Sequence, residues 1–292
     1  MTDPIQDLID KCEGAYAPKT LSCYQRDLIG FRAFCEARGL AWYPAAGETV
    51  AIWIDEDCGH LVKTTVRRKM GAVRFLHVMT NLPNPTTTAE VKLAYRRVMK
   101  KNRRQPKRAA PITPAMLEQL LETCGNDLEG LRDRALMLVA YESLARAGEL
   151  VAIQVGDVFI TQQPAKLLIP RSKADIEGLG RWAELSPRAA GAVQDWVAAS
   201  GVTSGALLRR VRGNYVGSDG LNVSSVSRML KRRQEMVCPD GRPLSGHSFR
   251  VGGAQKLLAE GKSELEIMLA GGWLSAGAMA GYLRRVAQNR LG

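Results

Sequence analysis

A run rich in basic residues, KKNRRQPKRAAPI at positions 100–112, divides the 292-residue chain into two parts. A charge run that ends in Ala and Pro is typical of an exposed linker rather than of a packed element. The segments on either side are each long enough to bury a hydrophobic core. We therefore predict two domains, residues 1–104 and 113–292, joined by a basic linker at residues 105–112.

The first segment is predicted to be all-helical. Apolar residues recur at three- and four-residue steps in residues 17–39, which is the pattern of an amphipathic helix, and Gly39 closes it. Similar patterns predict helices at about 49–58, 62–79 and 89–104.

Basic side chains lie on the helix faces opposite the apolar stripes. The net charge of +12 favours a polyanionic partner, and an α-helix fits the major groove of B-DNA. A solvated basic surface is the alternative; for the linker, the alternatives are a path along the phosphate backbone and a solubilising tether. The candidate DNA contacts in this half are Arg67, Arg68, Lys69, Arg74, Arg97, Lys101, Arg103 and Arg104.

The second segment mixes helices with a little β-structure. Helical patterns cover about 114–124, 129–142 and 187–200, and two short strands flank a turn at about 173–180. The predicted fold class is therefore mainly α: an all-helical N-terminal domain followed by a mostly helical domain with a small antiparallel sheet.

Residues 244–283 carry side chains suited to phosphate chemistry. His247 and Arg250 are one helical turn apart, and Tyr282 follows Trp273 by nine residues. Arginine binds phosphate oxygens with paired hydrogen bonds, histidine can donate another, and tyrosine can act as a nucleophile. The structural alternative is a hydrogen-bonded histidine, a solvated arginine and a core tyrosine.

Three further residues, Arg146, Glu149 and Lys173, can likewise be interpreted as functional or as structural. Arg146 and Glu149 are one turn apart, a spacing that usually gives a surface ion pair. Here the pair lies between the apolar runs ALMLVAY and LVAIQV, where a charge is costly unless it is used. Lys173, by itself, is an ordinary turn lysine.

The motifs taken together resemble those of the tyrosine recombinases, the phage integrase family. The resemblance is carried by L-x-R-x-x-E-L, R-S-K, G-H-S-x-R-V-G-x-A, G-G-W and the following tyrosine, which occur in that order. The chain is most similar to the branch that has Trp where most members have a second His. The resemblance extends over nearly the whole chain and implies a site-specific DNA recombinase.

This resemblance assigns a role to each residue of the set. It implies that Tyr282 attacks a backbone phosphate to give a 3′-phosphotyrosyl enzyme and a free 5′-hydroxyl. Arg146 and Arg250 would hold the non-bridging oxygens. The remaining assignments are hydrogen bonds from His247 and Trp273, protonation of the leaving oxygen by Lys173, and orientation of neighbouring side chains by Glu149.

The resemblance also implies partners. Arg210 and Arg212 resemble DNA backbone contacts, and Arg228 resembles a position at which a relative reads a base. The expected partners are double-stranded DNA with a specific site, three more copies of the chain in a tetramer on that DNA, and accessory DNA sites or proteins. No metal or other cofactor is implied.

Two other functions share these features: that of a type IB topoisomerase and that of a catalytically idle DNA-binding accessory protein.

No apolar run approaches the ~20 residues of a membrane span, and the N-terminus, MTDPIQDLID, is acidic, unlike a signal peptide. Six scattered cysteines without C-x-x-C pairs predict reduced thiols and no zinc site. We therefore expect a cytoplasmic protein.

The tail after Tyr282, residues 283–292, is short. Similar enzymes carry a further helix that docks into the neighbouring protomer, so we expect this tail to make a smaller contact between protomers than that helix does.

Overall fold

A computed structural model describes residues 3–101, 109–169 and 180–282 and divides the chain into two compact units, Met1–Lys107 and Arg108–Gly292. The predictions for Lys173 and the turn around it, for residues 102–108 with Arg103 and Arg104, and for the C-terminal tail fall outside the described residues. No helix among the described residues is long and apolar enough to cross a membrane.

The first unit is helical throughout its described residues. Its core centres on Leu28, Phe31, Trp53 and Leu76, which are all completely buried. The predicted helices are present, and one further helix precedes them. The elements are α1 (Pro4–Lys11), α2 (Pro18–Glu36), α3 (Gly47–Asp57), α4 (Lys63–Met79), a 3₁₀ turn (Pro85–Thr87) and α5 (Ala89–Lys101).

The second unit packs helices and two small sheets around a central helix, α7 (Leu128–Ser143), which is buried along most of its length. The other helices are α6 (Pro114–Glu122), α8 (Ala147–Ala152), α9 (Pro187–Ser200), α10 (Val223–Val237), α11 (Gly246–Ala259) and α12 (Glu264–Gly271). The strands are β1 (Val158–Phe159), β2 (Ala165–Ile169), β3 (Arg181–Leu185), β4 (Arg209–Arg212) and β5 (Tyr215–Gly220).

Both sheets are antiparallel, and the predicted fold class is confirmed. Strand β2 lies between β1 and β3, so that Leu167 faces Val158 on one side and Ala183 on the other. Strands β4 and β5 form a separate hairpin that the sequence did not predict. Its residues are mostly polar and half-exposed, so they lack the apolar alternation that marks a strand.

The end of the predicted linker packs against the core of the second unit. Ile112 is completely buried there, and its backbone N–H donates a 3.2 Å hydrogen bond to the carbonyl of Ser248 on α11. Residues 109–112 contain Ala110 and Ile112, whose apolar side chains join the core instead of remaining in solvent.

Gly252 is needed for this contact because a Cβ there would lie 1.9 Å from the carbonyl oxygen of Ile112. We expect Gly252→Ala to lower the free energy of unfolding by about 1–3 kcal/mol, the usual cost of overpacking. The matched control is Gly191→Ala on α9, where an added Cβ meets nothing within 4 Å. That change should instead stabilise the protein by about 0.5–1 kcal/mol. Urea denaturation checks both, and equal midpoints for the two variants would contradict the close contact.

Candidate active site

Helix α11 places His247 and Arg250 in one site, as their spacing predicts. The backbone N–H of Ser245 donates a 3.0 Å hydrogen bond to Oγ of Ser248, which fixes the first turn. His247 is exposed in that turn, whereas Arg250, one turn later, is completely buried. Arg250 Nη1 donates a 2.5 Å hydrogen bond to the carbonyl of Leu144, which ends α7 in a left-handed conformation with φ of 52°.

The Arg250 guanidinium is buried with spare hydrogen-bonding capacity. Its Cζ lies 3.8 Å from the centroid of the Trp273 ring. Its Nε and Nη2 are buried without a hydrogen-bond partner among the described residues. Burial and repulsion by Arg146 lower the pKa of Arg250 to about 10, so it remains charged at neutral pH. A buried cation with unpaired donors is costly, and these donors suit the oxygens of an anion.

Three aromatic rings meet at this point. The Tyr282 ring centroid lies 5.0 Å from that of Trp273 and 5.1 Å from that of His247. Trp273 is 6% exposed and follows Gly271, where an added Cβ would lie 1.9 Å from the indole ring. The G-G-W sequence therefore lets the chain fold back tightly enough to place Trp273 against both Arg250 and Tyr282.

Arg146 and Glu149 form the predicted pair at the start of α8. Arg146 Nη1 lies 2.5 Å from Oε1 of Glu149, and Oε2 of Glu149 accepts from the Arg146 backbone N–H at 3.0 Å. Glu149 is nearly buried, with 5% of its side chain exposed, whereas the Arg146 side chain is 36% exposed. The carboxylate thus holds an arginine that still reaches solvent.

The electrostatics of the site favour a neutral histidine. Although His247 keeps access to solvent, partial desolvation of its ring, followed by the positive charges of Arg250 and Arg146, lowers the pKa of His247 below its ordinary value of 6.5. At neutral pH its imidazole is therefore uncharged and can accept a proton. With two arginines, a neutral base and a tyrosine, the site is suited to nucleophilic attack on a phosphodiester.

Arg181, at the start of β3, also belongs to this cluster and was not predicted. Its Nη1 donates a 2.6 Å hydrogen bond to the carbonyl of Ala270, and its Nη2 lies 3.7 Å from Oε2 of Glu149. The sequence R-W-A-E-L nevertheless indicates on which face of the strand Arg181 lies. Because Leu185 is buried and Trp182 is exposed, the period of two places Arg181 on the same face as Leu185.

In the first unit, the candidate DNA contacts fall into two groups. Arg67 and Arg74 are exposed and line a groove with Gly71 and Tyr95. Lys101 is exposed at the end of α5. The others form ion pairs within the protein: Arg68 with the buried Asp27, Lys69 with Asp57, and Arg97 with Asp55.

The candidate contacts of the second unit lie together. Arg210, Arg212 and Arg228 line a groove between β4 and α10, and Arg232 adds a fourth exposed arginine that sequence reasoning missed. Below the groove, the fully buried Asp133 pairs with Arg232 and Arg233 of α10, at 3.2 Å and 2.6 Å. These ion pairs fix α10 on the core, so the basic surface sits on a rigid support.

Comparisons with known proteins agree with this geometry. A family model described as the phage integrase family matches residues 111–289. Recombinase cre of Escherichia phage P1 is 29% identical over 280 residues, covering 87% of this chain and 80% of that protein.

Solved structures show the same fold at low sequence identity. The XerH site-specific recombinase bound to its difH substrate has a TM-score of 0.69, with 15% identity over 98% of this chain and 82% of that one. A lambda integrase tetramer bound to a Holliday junction has a TM-score of 0.64, with 17% identity over 96% of this chain and 76% of that one.

Proposed function

Because the chain belongs to the phage integrase family, we propose that it is a site-specific recombinase that cleaves and rejoins DNA through a phosphotyrosyl intermediate. The observation that carries the proposal is the buried guanidinium of Arg250, whose Nε and Nη2 have no hydrogen-bond partner among the described residues, beside Tyr282. A DNA phosphate supplies the charge and the oxygens that these donors lack.

The proposed reaction is a transesterification. The Tyr282 hydroxyl oxygen forms a bond to phosphorus, the bond from phosphorus to the 5′ oxygen breaks, and the phosphate stays attached to the 3′ end. His247 takes the proton of the tyrosine, and Lys173 gives a proton to the leaving oxygen. The phosphodiester bond energy is kept in the tyrosyl ester, so rejoining requires no ATP.

The arginines stabilise the charge that develops on the phosphate. Arg146 and Arg250 contact the two non-bridging oxygens, and Trp273 donates a further hydrogen bond. Glu149 orients Arg146 and takes no part in proton transfer. These cations supply the positive charge that metal ions provide in many phosphoryl-transfer sites, so the proposed chemistry requires no metal.

Sequence recognition and assembly complete the proposal. Arg210, Arg212 and Arg228 contact the duplex from the groove of the second unit, and Arg67 and Arg74 contact it from the first. Exchange of strands between two duplexes needs four active sites, so four copies assemble on the DNA. The lambda integrase tetramer is a precedent for such an assembly in a protein of the same fold.

The role of His247 predicts a pH dependence. Its pKa lies below 6.5, so the neutral form dominates above that pH and is lost only as the pH falls further. We expect the rate of adduct formation to be flat at neutral pH and to fall on the acidic side of pH 6.5 as His247 becomes protonated. His247→Gln keeps a hydrogen-bond donor but cannot accept the proton, so it should be slower by about 10²-fold. Its rate should also lack this acid limb, and an identical limb in the variant would assign the titration to another group.

One experiment distinguishes the recombinase from its two alternatives. The purified protein is mixed separately with the DNA that flanks its own gene and with a random supercoiled plasmid. Recombination confined to the flank supports the proposal. Relaxation of both DNAs without sequence preference would indicate a topoisomerase, and binding without any covalent adduct would indicate an accessory protein.

A further inference from the structure

The Arg181 side chain connects three parts of the active site. It extends from the first residue of β3, donates its 2.6 Å hydrogen bond to Ala270 at the end of α12, and approaches Glu149 on α8. Only 15% of this side chain is exposed. Burying a charged group is costly unless other groups compensate its charge, and here the Ala270 carbonyl and the Glu149 carboxylate do so.

The contact with α12 lies beside the segment that places Trp273. Ala270 is followed by Gly271 and Gly272, and a Cβ on Gly272 would lie 3.3 Å from Nε of Arg181. The guanidinium therefore packs directly on the backbone of this turn. Any displacement of the turn would move Trp273, on which Arg250 stacks.

The contact with α8 involves the carboxylate that holds Arg146. Glu149 Oε1 pairs with Arg146 Nη1 at 2.5 Å, and Oε2 lies 3.7 Å from Arg181 Nη2. Glu149 therefore lies between two arginines. Without Arg181, one side of this nearly buried carboxylate would lose its cation, and its hold on Arg146 would be less well defined.

We propose that Arg181 is a positioning residue that acts through Glu149 and the Ala270 carbonyl to hold Arg146 and the Trp273–Arg250 pair at the spacing a phosphate requires. This inference rests on the proposed function. Arg181 does not itself contact DNA in this proposal, although its Nε and Nη2 have no hydrogen-bond partner within the described residues. The experiment therefore has to separate positioning from direct contact.

The test uses Arg181→Met and, as a charge-retaining variant, Arg181→Lys. The control is Arg188→Met, which removes an arginine that makes two hydrogen bonds, of 2.6 and 2.7 Å, to the exposed Glu118. The substrate is a nicked duplex bearing the site that Tyr282→Phe selects from random-sequence DNA. The rate of covalent adduct formation is measured on this duplex and on one with a methylphosphonate at the cleaved position.

We expect Arg181→Met to slow adduct formation on the phosphodiester by about 10–100-fold while DNA affinity stays within about twofold of wild type. Arg181→Lys should be intermediate, and Arg188→Met unchanged. The methylphosphonate lacks one negative charge and depends less on correctly placed cations. The Arg181→Met defect should therefore shrink to about threefold or less on that substrate. An equal loss on both substrates would indicate general damage to the fold and would overturn the proposal.

A second comparison separates positioning from direct contact. If Arg181 acts through Glu149, adding Arg181→Met to Glu149→Gln should cost less than about a third of its effect in the wild-type background. Full additivity would mean that Arg181 acts independently of Glu149 and would overturn the proposed route through this carboxylate, and rates like those of wild type would mean that Arg181 has no role. Should Arg181→Met fail to fold, Arg181→Lys is carried through the same comparisons. A wild-type protein that forms no adduct would overturn the proposed function as well, whereas normal wild-type adduct formation with unaffected variants would overturn this inference alone.

Discussion

Tyr282→Phe should bind its DNA site as tightly as the wild-type protein and form no covalent adduct with it. The variant keeps the ring, and with it the contacts to Trp273 and His247 at 5.0 and 5.1 Å. It loses only the hydroxyl oxygen that the proposed mechanism uses as the nucleophile. We expect complete loss of the protein–DNA species that survives denaturation by detergent, measured on a nicked duplex, with no change in electrophoretic mobility-shift affinity.

Tyr215→Phe is the matched control for this experiment. Tyr215 is 68% exposed on β5 and lies next to the arginines of the second-unit groove, but it has no contact with the Tyr282 cluster in the described part of the chain. Its substitution should leave adduct formation intact. An adduct that survives Tyr282→Phe, or one that disappears with Tyr215→Phe, would show that Tyr282 is not the nucleophile.

Much of the fold follows from local sequence signals. The apolar spacing in α2 and α4 predicts their buried faces, and the helix predicted over 187–200 matches α9, whose first turn is capped by Ser186. The Arg146–Glu149 spacing likewise predicts a contact within one helical turn. Each of these features depends on residues that are close in the chain, so periodicity and capping rules are sufficient.

Features that depend on distant residues were missed or only partly predicted. The burial of Ile112 depends on Gly252, and the role of Arg181 depends on Ala270, which is far away in the sequence. The helical pattern predicts Lys69 on the polar face as a candidate DNA contact, whereas the fold pairs it with Asp57. A helical pattern identifies which face is polar but not which opposing charge will meet it, so ion pairs between elements require the tertiary structure.

Arg250→Met should abolish most catalysis with little effect on stability. The loss of a cation that contacts the phosphate is expected to slow adduct formation by about 10²–10³-fold. Stability changes through two opposing effects. Removing a buried charge with unpaired donors is favourable, whereas the carbonyl of the buried Leu144 loses its 2.5 Å hydrogen bond. We expect the free energy of unfolding to stay within about 1 kcal/mol of wild type.

Arg233→Met provides the contrasting case because its arginine is also buried but fully paired. Arg233 Nε and Nη2 donate to Oδ2 of Asp133 at 2.9 and 2.6 Å, and Nη1 donates to the Thr123 carbonyl at 2.7 Å. Its removal weakens the compensation of a completely buried carboxylate, so we expect a loss of about 3 kcal/mol. Urea denaturation of the two variants makes the comparison. If Arg250→Met were as destabilising as Arg233→Met, Arg250 would be a structural residue. If Arg250→Met leaves the free energy of unfolding nearly unchanged while Arg233→Met lowers it, the buried Arg250 contributes little to stability and is kept for binding phosphate.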